Sequence, residues 1–304
     1  MMTTFWSLYI IVLSLACVGL SMFLLIWTRK LNIPKSPDGT TGHEYDGIRE
    51  FDNPMPRWWY LMFWMTIAFA FFYMAAYPAL GNYKGFLNWT SHGAVEEAQK
   101  AYDAKYGPIF AAYAAKPIPD LAQDPAAMKI AGRLFANNCS VCHGANARGA
   151  KGFPNLTDDD WLYGGEPDQI EQTITNGRPA VEGGTKMPAW GSVLGAQGVQ
   201  EVANYVLTLS GRKLSDADQK LADAGQARFV QCAACHGPEG RGNIAVGAPN
   251  LTDTIWLYGG SKETVIETIT NGRNGAMPAW GERLGKDKVH LLAAYVWSLS
   301  HGNK

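Results

Sequence analysis

Cysteine is scarce: the 304 residues hold only Cys17, Cys139, Cys142, Cys232 and Cys235. That is too few for a disulfide framework, which needs denser cysteine. Charge is scarce as well. Asp, Glu, Lys and Arg make up 17% of the chain, against the ~25% of an average globular protein. The formal net charge of −1 excludes a strongly basic nucleic-acid binder. Gly and Pro, at 33 and 16 residues, show no collagen-like or disordered bias. Strand-like alternation is missing too, so the predicted fold class is all-α.

What the chain does have is uneven. Residues 1–80 contain two long uncharged apolar runs, Phe5–Trp27 and Trp58–Leu80, each of 23 residues. About 20 helical residues span the hydrocarbon of a bilayer, so both runs are long enough to cross it. Trp6, Trp27, Trp58, Trp59 and Tyr77 lie near the ends of the runs, as an aromatic belt would. The first run lacks a basic leader and no A-x-A site follows it, so it reads as a retained anchor rather than a cleaved signal peptide. The intervening loop carries Arg29, Lys30, Lys35, Arg49 and Arg57, while Met1–Thr4 carries no charge. The positive-inside rule therefore predicts a cytoplasmic loop, with both termini on the other face. In a bacterium everything after Leu80 is then periplasmic.

Residues 81–124 read as a linker with some helix. After it the sequence repeats itself. Cys139-Ser140-Val141-Cys142-His143-Gly144 returns as Cys232-Ala233-Ala234-Cys235-His236-Gly237. Pro154–Asp158 returns at 249–253, Trp161–Gly165 at 256–260, Thr175–Arg178 at 270–273 and Met187–Trp190 at 277–280. Tyr205 matches Tyr295. Two such copies are two small domains rather than a solenoid, which needs at least three units. The boundaries drawn from the repeat are 125–212 and 213–304. Helical periodicity covers Ala126–Asn137, Pro167–Thr175 and Gln197–Leu209, then Asp216–Gln231, Lys262–Thr270 and Lys286–Leu299.

In C-x-x-C-H the three reactive residues fall at i, i+3 and i+4, on one face of a helical turn. Two thiols so placed add to the vinyl groups of a heme, and the imidazole lies under the iron. C-x-x-C-H reads as c-type heme attachment. Two copies within a duplicated unit predict two covalent hemes, on Cys139 and Cys142 and on Cys232 and Cys235. Neither a thioredoxin-like βαβ context nor the close spacing of a zinc ribbon is present.

His143 and His236 are the proximal axial ligands on this reading, and Met187 and Met277, in the repeated M-P-A-W, are the distal ones. Pairing within each repeat, His143 with Met187 and His236 with Met277, is the simpler arrangement. The short segment around Gly211–Leu214 also permits exchange of the two loops between the copies. Filling both axial positions suits outer-sphere electron transfer rather than substrate binding. Trp161, Tyr163, Arg178, Trp256, Tyr258 and Arg273 are candidate propionate contacts. Asn155, Asn250, Gly177 and Gly272 read as turn-formers. The apolar runs hold no histidine, so no heme–copper centre can form in them. His43, His92, His290 and His301 are scattered and read as solvated surface.

Glu44–Ile48 and Asp52-Asn53-Pro54-Met55-Pro56-Arg57-Trp58-Trp59, ahead of the second run and two C-x-x-C-H units, resemble the diheme subunit III (CcoP or FixP) family of bacterial cbb3-type cytochrome c oxidases. The resemblance covers nearly the whole chain; the first span departs from commoner members. It implies two transmembrane helices followed by two tandem class I cytochrome c domains, in an inner-membrane, proton-pumping terminal oxidase. The implied partners are a heme–copper catalytic subunit, a monoheme cytochrome c subunit, a soluble or membrane-bound cytochrome c donor, and the lipid bilayer. The competing functions are a free-standing membrane-tethered diheme shuttle and a diheme peroxidase, which needs one open iron site.

Overall fold

The computed structural model describes residues 2–30, 36–37, 39–51, 53–178 and 186–301. Lys35 of the loop and Asp52 of the motif discussed above lie outside these. The chain forms two compact units, Met1–Lys105 and Tyr106–Lys304.

In the first unit, helices α1 (Thr4–Lys30) and α2 (Arg57–Ala76) are each long and apolar enough to cross a membrane. Ser7 and Leu25 are the buried residues of α1, and Ile67 and Ala76 those of α2. The outward faces are Leu, Phe, Trp and Tyr, the composition a lipid environment favours. The helices are tied at both ends. The Arg29 guanidinium lies 4.3 Å from the Tyr60 ring centre. At the other end the Asn82 side chain accepts from the Met2 N–H and donates to the Met2 carbonyl, at 3.1 and 3.0 Å.

Between the helices runs an antiparallel hairpin, β1 (Thr40–Tyr45) and β2 (Ile48–Phe51), with Tyr45 opposite Ile48. The all-α expectation is corrected here: the chain is mostly helical, with small two-stranded sheets. The turn is Asp46-Gly47, with φ of 49° and 83°. Positive φ at both central residues is the signature of a hairpin turn, and Asp-Gly favours it. Strands this short carry no legible alternation, whereas the Asp-Gly pair was visible. Helix α3 (Ser91–Ala114) then occupies much of the predicted linker.

The second unit holds α4 (Ile118–Leu121), α5 (Pro125–Asn138), α6 (Ser140–His143), α7 (Pro167–Asn176), β3 (Lys186–Met187), α8 (Gly191–Leu209), α9 (Asp216–Arg228), α10 (Val230–His236), α11 (Lys262–Asn271), β4 (Arg273–Asn274), α12 (Gly281–Leu284) and α13 (Lys286–His301). Helices α5 and α9 start on recognisable caps. The Asp124 carboxylate accepts from the Ala126 and Ala127 N–H groups ahead of α5, and the Ser215 hydroxyl does the same for Asp218 ahead of α9. Such caps contribute about 1 kcal/mol each.

The helices do not pack by sequence repeat. One core joins Ala127, Ala131 and Phe135 of α5 and Ile170 and Ile174 of α7 to Val289, Leu292, Ala293 and Val296 of α13. The other joins Val199, Val202, Ala203 and Val206 of α8 to Phe229, which follows α9, and to Val265 and Ile269 of α11. Burying each valine, leucine, isoleucine or phenylalanine among them contributes about 1.5–3 kcal/mol. The contiguous halves 125–212 and 213–304 are thus repeats in sequence but not packing units. The first packing unit takes its last helix from the second repeat. The second is the contiguous stretch 186–274, set into the first. The reason lies in the connection: only Ser210–Ser215 separates α8 from α9, and short connections make consecutive helices neighbours. Residues 179–185, which join the two units on the other side, are outside the described residues.

Candidate functional site

In the first packing unit α5 delivers Cys139 at its end, and α6 is one turn that carries Cys142 and His143. In the second, α10 carries Cys232, Cys235 and His236 on successive turns. None of the four is in a disulfide. Burial pushes the Cys139 thiol up to about 11, with a contribution from Cys142. The Cys232 thiol is shifted in the same direction for the same reasons.

Each histidine is oriented by one backbone carbonyl. The His143 Nδ1–H donates to the Pro154 carbonyl at 3.1 Å, and the His236 Nδ1–H to the Pro249 carbonyl at 3.0 Å. This fixes the tautomer and leaves each Nε2 with a bare lone pair, the arrangement that a carbonyl bound to the other ring nitrogen gives metal-ligating histidines. Burial lowers the pKa of both rings, against the opposing effect of the carbonyls, and so favours the neutral imidazole. The repeated Pro154 and Pro249 are therefore site residues. Their role was not read from the sequence, although their recurrence marked them.

Each M-P-A-W loop packs on the core that holds the other repeat's C-x-x-C-H. Met277 and Trp280 pack on the core that also holds Cys139, Leu156 and Trp161. Met187 and Trp190 pack on the core that holds Cys232, Leu251 and Trp256. The crossing is stitched by backbone. Arg178 and Met277 form an antiparallel bridge, and Met187 pairs with Arg273 in the β3–β4 ladder. The Trp190 N–H donates to the Ile269 carbonyl at 2.9 Å, and the Trp280 N–H to the Ile174 carbonyl at 3.0 Å. Gly177 and Gly272 do form turns, with φ of 65° and 70°. They also lie directly against the carbonyls of Met277 and Met187, leaving no space for a Cβ. Asn155 and Asn250 cap their turns, accepting from Thr157 and Thr252.

The predicted polar lining assembles in two sets. Arg178 lies over the Tyr163 ring at 3.9 Å and Arg273 over the Tyr258 ring at 4.5 Å. Among the described residues, buried Trp161 Nε1, Tyr163 Oη and Arg178 Nε lack a hydrogen-bond partner, as does Arg273 Nη2. Orphaned buried donors cost about 1–3 kcal/mol each. Donors of this kind fit an acidic group such as a heme propionate.

Among the remaining histidines, His290 departs from the solvated-surface reading. Its Nε2 is 2.9 Å from the Lys116 carbonyl and its Nδ1 3.2 Å from Glu171, so it ties the segment after α3 to α13 and α7.

Comparison with known proteins decides the family. Residues 126–206 and 220–296 match the family described as cytochrome c oxidase, cbb3-type, subunit III. Residues 37–84 match the N-terminal domain of cytochrome oxidase-cbb3, FixP. The chain belongs to the subunit III family of cbb3-type cytochrome c oxidases. The cbb3-type oxidase subunit CcoP of Rubrivivax gelatinosus is 46% identical over 97% of this chain and 95% of its own length. The FixP subunit of Azorhizobium caulinodans is 47% identical over 86% of this chain and 93% of its own. CcoP of Cereibacter sphaeroides is 40% identical over 86% and 95%. As a cbb3 subunit III, the chain is an electron-transfer subunit of a membrane-associated oxidase, with cytochrome c domains of the heme c type.

Proposed function

We propose that this subunit III holds two covalent hemes c in crevices built across the repeats. Cys139 and Cys142 attach the first, with His143 and Met277 as axial ligands. Cys232 and Cys235 attach the second, with His236 and Met187. The group supplies reversible one-electron chemistry, and the chain supplies orientation and potential. His143 and His236, held by Pro154 and Pro249, each direct one lone pair at the iron position. The Arg178–Met277 and Arg273–Met187 backbone pairs hold each thioether at the opposite wall. Trp161, Tyr163 and Arg178, and their counterparts Trp256, Tyr258 and Arg273, receive the propionates.

With both axial positions filled, neither iron offers a substrate site. The chain passes electrons from a donor cytochrome c, soluble or membrane-bound, towards a heme–copper catalytic subunit, beside a monoheme cytochrome c subunit. Oxygen reduction and proton translocation belong to that catalytic subunit. α1 and α2 both span the inner membrane, their connecting loop is cytoplasmic, and the heme domains are periplasmic. The observation that carries the reading is the coincidence, in each crevice, of two cysteines, a carbonyl-oriented histidine and a methionine loop on one core.

Denatured, acid-extracted chain should retain the absorbance of two hemes. Retention of one or none contradicts the reading. Co-purification in mild detergent with a catalytic subunit separates an oxidase subunit from a free-standing shuttle.

A further inference from the structure

The loops of the two repeats meet at a seam. The loop after each C-x-x-C-H reaches the tyrosine of the other crevice. The Gly152 N–H donates to the Leu257 carbonyl at 2.8 Å, and Gly152 lies against the Tyr258 ring. Gly247, at the equivalent position, lies against the Tyr163 ring with no room for a Cβ.

Three carboxylates gather at this seam. Asp158 and Asp253 occupy equivalent positions of the two repeats, and each accepts a backbone N–H two residues on, from Asp160 and Ile255. Asp160 breaks the symmetry, because its counterpart is Ile255. Asp160 lines two cavities of about 550 and 400 Å³, both walled by residues of both repeats. Arg241 is the cation among the residues that line the first cavity, and Arg148 and Lys151 line the second. Asp158 and Asp159 flank it on its own segment. Tyr258 also lines the second cavity.

We propose that Asp160 is a proton-binding site at the seam, taking up a proton from water when the crevices are reduced and releasing it when they are re-oxidised. The proposal rests on the two-heme reading above. One electron arrives from the donor cytochrome; one proton moves from water in the adjoining cavity onto an Asp160 carboxylate oxygen. The only bond formed is that O–H, and it breaks when the electron leaves. The driving force is like-charge repulsion. An added electron makes the seam more negative, and protonation of Asp160 offsets it. Burial first, then the Asp253 and Asp158 carboxylates, push the Asp160 carboxyl up to about 6, so it titrates close to neutral pH, unlike an ordinary aspartate.

Proton and electron affinities are reciprocally linked. The ionised carboxylate favours the oxidised state and lowers the potential; the protonated form removes that effect. If reduction raises the proton affinity of Asp160 tenfold, the potential climbs by 59 mV between the ionised and protonated limits.

The test is a spectroelectrochemical titration of the full-length holoprotein between about pH 5 and about pH 8. It compares the natural chain with Asp160→Asn and Asp253→Asn. A step in potential, rising as pH falls through about 6, is expected in the natural chain. Asp160→Asn should lack the step and sit near the low-pH potential throughout. Asp253→Asn should move the step to lower pH, because removing a neighbouring negative charge weakens proton binding. Redox-difference infrared spectra should show a protonated carboxyl band appearing on reduction, absent in Asp160→Asn. A natural chain without the step, or an Asp160→Asn variant that keeps it, overturns the proposal. A chain that carries fewer than two hemes overturns the functional reading instead.

Discussion

Met277 and Arg178 exchange both backbone hydrogen bonds: the Arg178 N–H donates to the Met277 carbonyl at 2.8 Å, and the Met277 N–H donates to the Arg178 carbonyl at 2.9 Å. The two residues come from different sequence repeats. The Arg178 side chain covers Tyr163 on the same side, so one short bridge fixes both a candidate axial ligand and the polar lining of the first crevice. The M-P-A-W loop of repeat two is thereby part of the first crevice, and α13 follows it onto α5 and α7.

Fragments should behave accordingly. Residues 186–274 contain Met187, α8, α9, the second C-x-x-C-H and α11, all the parts of the second packing unit. Expressed with heme maturation, this stretch is expected to give a low-spin His/Met spectrum. Residues 125–212 lack Met277 and α13. They are expected to be high-spin until residues 213–304 are supplied. A normal low-spin spectrum from 125–212 alone would show pairing inside the repeat.

Glycines at the crossing should be far less replaceable than a glycine with the same φ elsewhere. Gly177→Ala forces a side chain into φ of 65° and against the Met277 carbonyl. Gly211, at φ of 78°, has open space around its missing Cβ. Gly211→Ala should therefore cost only about 1 kcal/mol, the backbone penalty. Gly177→Ala should cost distinctly more, on the order of 2–4 kcal/mol, because the opposed backbone must shift. Thermal unfolding of the two variants checks the order; equal losses would remove the close approach from the account.

Much of this was legible in the sequence. The C-x-x-C-H pairs, the repeated methionines and the helix periods lead directly to the crevices, because each is a local pattern. The exchange was not legible as a preference, since Met187 and Met277 sit in identical M-P-A-W contexts. Its cause is a non-local packing choice: α8 meets α9 across the short Ser210–Ser215 connection, leaving α13 to cover α5. The hairpin was hidden for a different reason. Its strands have few residues and exposed apolar groups at Tyr45, Ile48 and Phe51, so no alternation with burial was there to read. The seam carboxylates, likewise, become neighbours only when the two repeats meet.

Topology gives an independent check. The basic residues Arg29, Lys30, Lys35, Arg49 and Arg57 should hold the loop between α1 and α2 in the cytoplasm. A periplasm-dependent reporter fused after Lys304 should be active, and one inserted near Asp38 inactive. The reverse pattern would contradict both the orientation and the heme attachment, which is made outside the cytoplasm.

In the exchanged arrangement Met277 serves the heme on Cys139 and Cys142, while Met187 serves the heme on Cys232 and Cys235. It is tested most directly with one heme present. In a Cys232→Ala, Cys235→Ala background only the first attachment site remains, and Met277→Ala and Met187→Ala are each added to it. The optical and magnetic circular dichroism spectra of the remaining heme are then compared. Met277→Ala should abolish the low-spin His/Met signature, and Met187→Ala should leave it in place. Loss of the signature with Met187→Ala and its survival with Met277→Ala would show that each methionine serves the heme of its own repeat.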